Sequence, residues 1–263
     1  MKTPILLALA LATVSVHGQS MEELMKRAME QSQQHGGAPG GMTVEENTDP
    51  FVPLGFTGSF RMEVHNYKNG AEEKDSPMNI AMAFTDEKMA MAPETPGKEK
   101  GSMKMVMDLK NKFTYTLITD EKGQRTGMKM KMMKVNMDDG ADKETKDEGQ
   151  VVRTDETRTI EGHLCRKYTY TGKDGSGEAW LAEDLEFNAF KAMGSMASGK
   201  KPERWQQAPY QGMMMETTWN DTNSKDKVVM FTKDLVVGKE NKEAFSMDGY
   251  QIQDMSNMPM FGR

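Results

Sequence analysis

GSMKMVMDLKNKFTYTLITDEKGQRTGMKMKMMKV, residues 101–135, reads as three β-strands in succession. Met103, Met105 and Met107 alternate with Lys104, Val106 and Asp108. Phe113, Tyr115 and Leu117 alternate with threonines, and Met128, Met130 and Met132 alternate with Lys129 and Lys131. Because successive side chains of a strand point to opposite faces, each run gathers its large apolar groups on one side. The links at 109–112 and 120–123 are short and polar. The spacing therefore predicts an antiparallel meander with one wet face and one face paved largely with thioethers.

The alternation extends both ways. Upstream, Phe56, Gly58, Phe60, Met62 and Val64 alternate with polar residues and lead to an Asn69-Gly70 turn signal. Met78, Ile80, Met82 and Phe84 follow in the same pattern, and Met89 and Met91 mark a short strand over 88–92. Consecutive strands with hairpin-length links define one antiparallel sheet rather than parallel units with crossover helices. Downstream, residues 138–150 are almost wholly polar and aperiodic, a solvated loop. Further strands are predicted at 156–162, 163–171, 177–182, 213–219 and 228–235. Phe187, Phe190 and Met193 fall on one stripe of a helix predicted over 183–196. The tail, 245–263, shows no clear period.

The N-terminus sets the compartment. Lys2, the apolar run 4–16 and the small residues around Val16-His17-Gly18 predict a signal peptide cleaved after Gly18. The run is too short to span a bilayer. No cysteine follows it, which excludes a lipid anchor there, and no later segment is apolar for the roughly 18 residues that a spanning helix needs. The mature protein is expected to be soluble and exported, periplasmic or secreted. A net charge of −6 gives no concentrated positive footprint, so nucleic acid and anionic membrane surfaces are discounted as partners.

In the mature chain, Ser20 can cap a helix whose first turn carries Glu22 and Glu23 and whose face carries Met21, Leu24, Met25 and Met29. A glycine- and proline-rich stretch follows it. The expected organisation is a signal peptide at 1–18, an amphipathic helix at 19–36, a linker at 37–54, the β domain at 55–255 and a tail at 256–263. The fold class is mainly β, a curved antiparallel sheet with one internal helix and a separate N-terminal helix. That helix is a candidate lid or handle for a protein partner.

Residues 159–185, TIEGHLCRKYTYTGKDGSGEAWLAEDL, carry a family resemblance. Ile160, Gly162, Cys165, Lys167, Tyr168, Trp180, Asp184 and Leu185 match the pattern of the domain of unknown function 4412 family. The methionine-alternating strands upstream and Gly249-Tyr250 near the end resemble it too, over roughly 55–255. The resemblance implies an exported Gram-negative protein with a half-barrel similar to the lipoprotein carriers LolA and LolB, helices closing its concave side over an apolar cavity. It implies no catalytic residue and no cofactor.

Twenty-eight methionines stand out in the composition, and three readings of their stripes stand open. Thioethers fill irregular core space. They also line promiscuous apolar cavities that repack around a lipid or another hydrophobic guest. Soft thioethers select Cu(I), although residues two apart on one strand lie about 6.6 Å from each other, so ligands would have to converge from neighbouring strands or from flexible segments such as 213–215 and 255–260. The candidate ligand-binding residues are Phe60, Met62, Met82, Met103, Met105, Met107, Phe113, Tyr115, Met128, Met130 and Met132. Tyr168 and Trp180 read as packing that fixes a hairpin.

Catalysis is not expected. The sequence has no G-x-S-x-G elbow, no H-E-x-x-H and no phosphate-cradling glycine loop. Cys165 is the single cysteine, so no intramolecular disulfide forms, and a lone free cysteine is typically a buried apolar group. After removal of His17, only His35, His65 and His163 remain. The expected function is non-enzymatic binding of a lipid-like ligand or hydrophobic partner segment, the alternatives being a Cu(I)-binding protein and a purely structural domain.

Overall fold

The computed structural model describes residues 42–94, 101–137, 149–173, 175–187 and 212–257, with 42–45 and 134–137 described by their backbone alone. The signal peptide, the 19–36 helix, most of the polar loop, residues 188–196 of the internal helix and the end of the tail lie outside them.

The described chain is almost all β. Its strands are β1 (Met42–Glu46), β2 (Gly58–Lys68), β3 (Ala71–Glu72), β4 (Met78–Phe84), β5 (Lys88–Glu94), β6 (Ser102–Asp108), β7 (Phe113–Thr119) and β8 (Arg125–Lys131). They continue as β9 (Met133–Met137), β10 (Gln150–Ile160), β11 (His163–Thr171), β12 (Gly175–Ala182), β13 (Met213–Asp221), β14 (Lys227–Val237) and β15 (Gln251–Asp254). A single turn of helix, α1 (Lys242–Phe245), precedes β15. Thirteen strands form one open curved sheet in the order β10-β11-β12-β13-β14-β2-β4-β5-β6-β7-β8-β15, with β3 beside β2. Strands β1 and β9 form a separate pair.

Local chemistry places the turns. Asn69 and Gly70 both take positive φ, the signature of the tight turns that match strand twist, and Glu161-Gly162 do the same between β10 and β11. Asp108 accepts from the Asn111 backbone N–H and side-chain amide, and Asp120 accepts from the N–H groups of Lys122 and Gln124, so each carboxylate satisfies the donors of its own loop. Register shifts at Trp180–Leu181 against β13 and at Lys233–Val236 against β2 mark bulges, which add local twist and bend a sheet.

Three readings of the sequence need correction. Residues 42–46 lie in the stretch read as a linker, yet they pair with β9 from Met42↔Met137 to Glu46↔Met133. Residues 183–187, the first turn of the predicted helix, are a turn and irregular chain. The Leu185 N–H donates to the Ala182 carbonyl and the Phe187 N–H to Leu185, which swings Phe187 inward instead of starting a helix. The tail without a period follows α1 and contains β15, which runs parallel to β8 from Gln251↔Thr126 to Asp254↔Lys129.

Both faces of the sheet are partly dry. On one, Phe60, Met82, Phe84, Met89, Met107, Leu109 and Met132 join Cys165, Trp180, Met213 and Met215 in the main core. Its centre is Phe84, fully buried, with Phe60 stacked at 5.5 Å between ring centroids, Phe56 at 6.0 Å and Phe187 at 4.8 Å. Phe56 and Phe187 come from chain flanking the strands and stack on each other at 4.2 Å, closing one end of the face with an aromatic plug. Burying side chains of this size stabilises by roughly 1.5–3 kcal/mol each.

On the other face, Ala83, Ala90, Val106 and Leu117 pack against Ala244, Phe245, Met247 and Tyr250 from the C-terminal segment. Small side chains there let the segment approach. Lys104 fastens it by donating to the carbonyls of Ser246 (2.8 Å) and Glu243 (3.2 Å) at the end of α1, and Tyr250 and Thr119 share a hydroxyl hydrogen bond of 3.1 Å.

Candidate functional site

The register of β2 and β4–β8 decides which side chains share a face. Phe60 stands opposite Met82, Met82 opposite Met91, Met91 opposite Met105, Met105 opposite Thr116, and Thr116 opposite Met128. One row nearer the plug, Phe84, Met89, Met107, Thr114 and Met130 are aligned in the same way. One row further out stand Met62 and Ile80, and, on the other side of β5, Met103 and Ile118. Met132, just past β8, is buried in the same core.

Burial falls along this face in the same direction on neighbouring antiparallel strands. On β4 it drops from Phe84 and Met82 to half-buried Ile80, and on β5 from Met89 to half-buried Met91. Leu109 and Met107 give way to half-buried Met105 and Met103 around β6, and Met132 to half-buried Met130 and Met128 around β8. The arrangement has a closed aromatic floor and a more open rim of methionine and isoleucine. Flexible thioethers at such a rim can repack around apolar groups of varied shape.

Phe113 and Tyr115 do not belong to it. Tyr115 faces Val106 and Lys129, and Phe113 faces Asp108 and Lys131, so both lie on the side covered by the C-terminal segment. There Tyr115 packs against the same Ala83, Ala90, Val106 and Leu117 cluster as Phe245 and Tyr250, while the Lys129 ammonium sits 4.0 Å from the Phe113 ring centroid. The β7 residues on the methionine face are Thr114, Thr116 and Ile118. These are face residues that sequence reasoning missed, while Ile80 and Met91 are legible in the strand pattern but absent from the candidate contacts. In β7 the threonines read as the wet side because the larger rings alternate with them. The apolar Phe245, Met247 and Tyr250 downstream were the available sign that a second face needed rings of its own.

The family-pattern residues build a corner of the fold instead of a reactive centre. Cys165 is fully buried, its thiol donating to the His163 carbonyl at 3.4 Å. Burial pushes that thiol's pKa up, the opposite of what a nucleophile requires. Trp180 is buried beneath the Arg158 guanidinium, 4.1 Å from its ring centroid, and Arg158 pairs with Glu216. Lys167 pairs with Glu178 at 2.9 Å, and His163 Nδ1 lies 2.8 Å from Asp184. Among the described residues no cluster of three or more His, Cys, Asp or Glu is placed to hold a metal ion, and no helix is long and apolar enough to cross a membrane.

The chain belongs to the family described as Domain of unknown function (DUF4412), whose model matches residues 56–247. No curated protein matches it. Among solved structures it is similar to PNGF-II, at 13% identity over 76% of this chain and 32% of that chain, with a TM-score of 0.34. It is also similar to MucB in complex with MucA(peri), at 10% identity over 73% of this chain and 55% of that one, with a TM-score of 0.36. A putative outer membrane lipoprotein-sorting protein domain from Vibrio parahaemolyticus aligns at 10% identity over 82% and 94% of the two chains, with a TM-score of 0.16. The chain thus spans about a third of the PNGF-II chain. Overlaps of this quality carry no function across, and the functional reading rests on the face itself.

Proposed function

We propose that this chain is an exported, non-enzymatic binding protein that holds an apolar guest, a lipid-like molecule or a hydrophobic segment, against the methionine rim. The guest contacts Met62, Ile80, Met91, Met103, Met105, Ile118, Met128 and Met130, with the Phe56–Phe84–Phe187 plug as floor. The graded burial of one apolar face on β4, β5, β6 and β8 supports this reading. A side chain serving only as core has no need of a rim, whereas a guest site needs a preformed floor and an adaptable edge. The leader-like residues 1–18 support the compartment.

Native mass spectrometry of the exported protein, purified without detergent, tests the proposal. The expected result is a mass excess that organic extraction resolves into apolar molecules, or uptake of a fluorescent fatty acid by the stripped protein. A bare mass, still bare after incubation with that fatty acid and with phospholipid vesicles, overturns it and leaves the methionines as packing.

A further inference from the structure

One row of the face has a donor set that an apolar guest does not require. Met82, Met91 and Met105 stand directly opposite one another on three adjacent strands, with Met91 in the middle. Directly opposed residues of antiparallel strands carry Cβ atoms about 4.5–5.5 Å apart. Methionine has three rotatable bonds beyond its Cα, enough for the outer two sulfurs to lean toward the central one. The convergence that a single strand forbids is thus supplied by register across three. Met89 and Met107, opposed in the next row and almost fully buried, wall the site from below.

The surroundings choose the ion. Phe60 and Thr116 flank the row, and neither carboxylate nor imidazole stands in it, so Zn(II), Cu(II) and the hard cations find no suitable ligand. Thioethers are soft and neutral, and their preferred first-row partner is Cu(I), whose single charge costs less to desolvate than a divalent one. Met82 is buried while Met91 and Met105 are half-buried, so the row sits where the floor meets the rim. An ion there is reached from the rim yet shielded from oxidising solvent.

We propose that Met82, Met91 and Met105 form a three-thioether Cu(I) site at the inner edge of the methionine face. The site does not depend on an apolar guest, and binding involves coordination alone, with no change in the metal's oxidation state.

Anaerobic titration with Cu(I), in competition with the chromophoric chelator bicinchoninate, tests it on the intact exported protein. One Cu(I) per chain should be retained, with an X-ray absorption spectrum showing sulfur neighbours only. Met91→Leu and Met105→Leu keep the apolar volume and leave the thermal midpoint nearly unchanged. Each should weaken Cu(I) binding by roughly a hundredfold, at or above the ~10–100-fold cost of losing an outer-sphere partner. Met128→Leu, in the same row but beyond Thr116, should leave it unchanged. Failure to hold Cu(I) against the chelator, a nitrogen or oxygen shell, or affinity that survives both leucine variants overturns the site. The chelator competition and the absorption spectrum read the metal alone, so their outcome is independent of whether the face also takes a fatty acid.

Discussion

Arg153 and Glu183 are joined by two parallel hydrogen bonds of 2.7 Å, guanidinium Nε to Oε1 and Nη2 to Oε2. The same carboxylate accepts from the Tyr168 hydroxyl at 2.7 Å and from Arg166 Nε at 3.3 Å, so one side chain ties β10 and β11 to the end of β12. The Arg153 hydrogen bonds, reinforced by those from Tyr168 and Arg166, hold the Glu183 carboxyl at about 2 against burial, which acts the other way. A depressed carboxyl contributes stability that is complete above its unfolded value of 4.5 and is lost as pH falls toward 2. Glu183→Gln should therefore flatten the pH dependence of the unfolding midpoint between those limits, as followed by circular dichroism. Tyr168→Phe, which removes one buried hydroxyl from the network, should cost about 1 kcal/mol at neutral pH.

His65 titrates in the opposite sense. Its Nδ1 lies 2.6 Å from Glu72 Oε1 and its Nε2 2.8 Å from Glu63 Oε1. Ionised carboxylates only accept, so both contacts are hydrogen bonds when both ring nitrogens carry protons, and the pair of carboxylates favours the imidazolium. Desolvation lowers its pKa, but the hydrogen bonds to Glu63 and Glu72 and their charges outweigh it, and the net shift is upward. Ser76, which donates to Glu72, and Lys227, whose charge lowers the Glu72 carboxyl, stand on the same cluster, and the Phe231 ring meets His65 edge-on. A raised histidine contributes stability that is complete below 6.5 and lost as pH rises through the folded value. The His65 ring resonances should titrate with a midpoint above 6.5 in NMR spectra, and His65→Gln should remove a loss of stability on that alkaline side.

The C-terminal segment depends on a missing side chain. A Cβ on Gly127 would come within 2.8 Å of Leu117 Cδ2 and 3.2 Å of Ile252 Cγ1, and Leu117 is fully buried and has no room to yield. Gly127→Val should cost about 1–3 kcal/mol, the usual range for overpacking. Hydrogen exchange should accelerate at 251–254, since β15 is four residues long and is held to β8 at the position the new side chain would invade.

The meander was legible because strand alternation is local: β4 to β8 fall where methionine and phenylalanine recur every second residue. Gly127 gave no comparable sign, since its meaning depends on Ile252, more than a hundred residues on. The pairing of β1 with β9 was hidden for the same reason, and the 42–46 strand sits in a glycine-rich setting that reads as linker. Alternation puts Met103, Met105, Met107, Met128 and Met130 on one face, and the register aligns them there. Phe113 and Tyr115 fall on the other, because alternation says which residues share a face of one strand but leaves the phase between strands to the register. The turn at 109–112 sets that phase, putting Val106 opposite Tyr115 and Met105 opposite Thr116.

That phase yields the sharpest test of the proposed binding face. Met128 and Tyr115 lie on neighbouring strands and are both half-buried, yet they occupy opposite sides of the sheet. Met128→Gln puts an amide at the rim, where a guest would have to desolvate it at a cost of about 1–3 kcal/mol, a loss of affinity of roughly five- to 150-fold. Tyr115→Ser removes a ring from the apolar cluster that the C-terminal segment covers and should lower the unfolding midpoint without touching guest affinity. Fatty-acid titration and thermal melts on the two variants read these effects separately. Equal losses of affinity would place the guest on neither face in particular, and loss from Tyr115→Ser alone would move it to the side of the C-terminal segment.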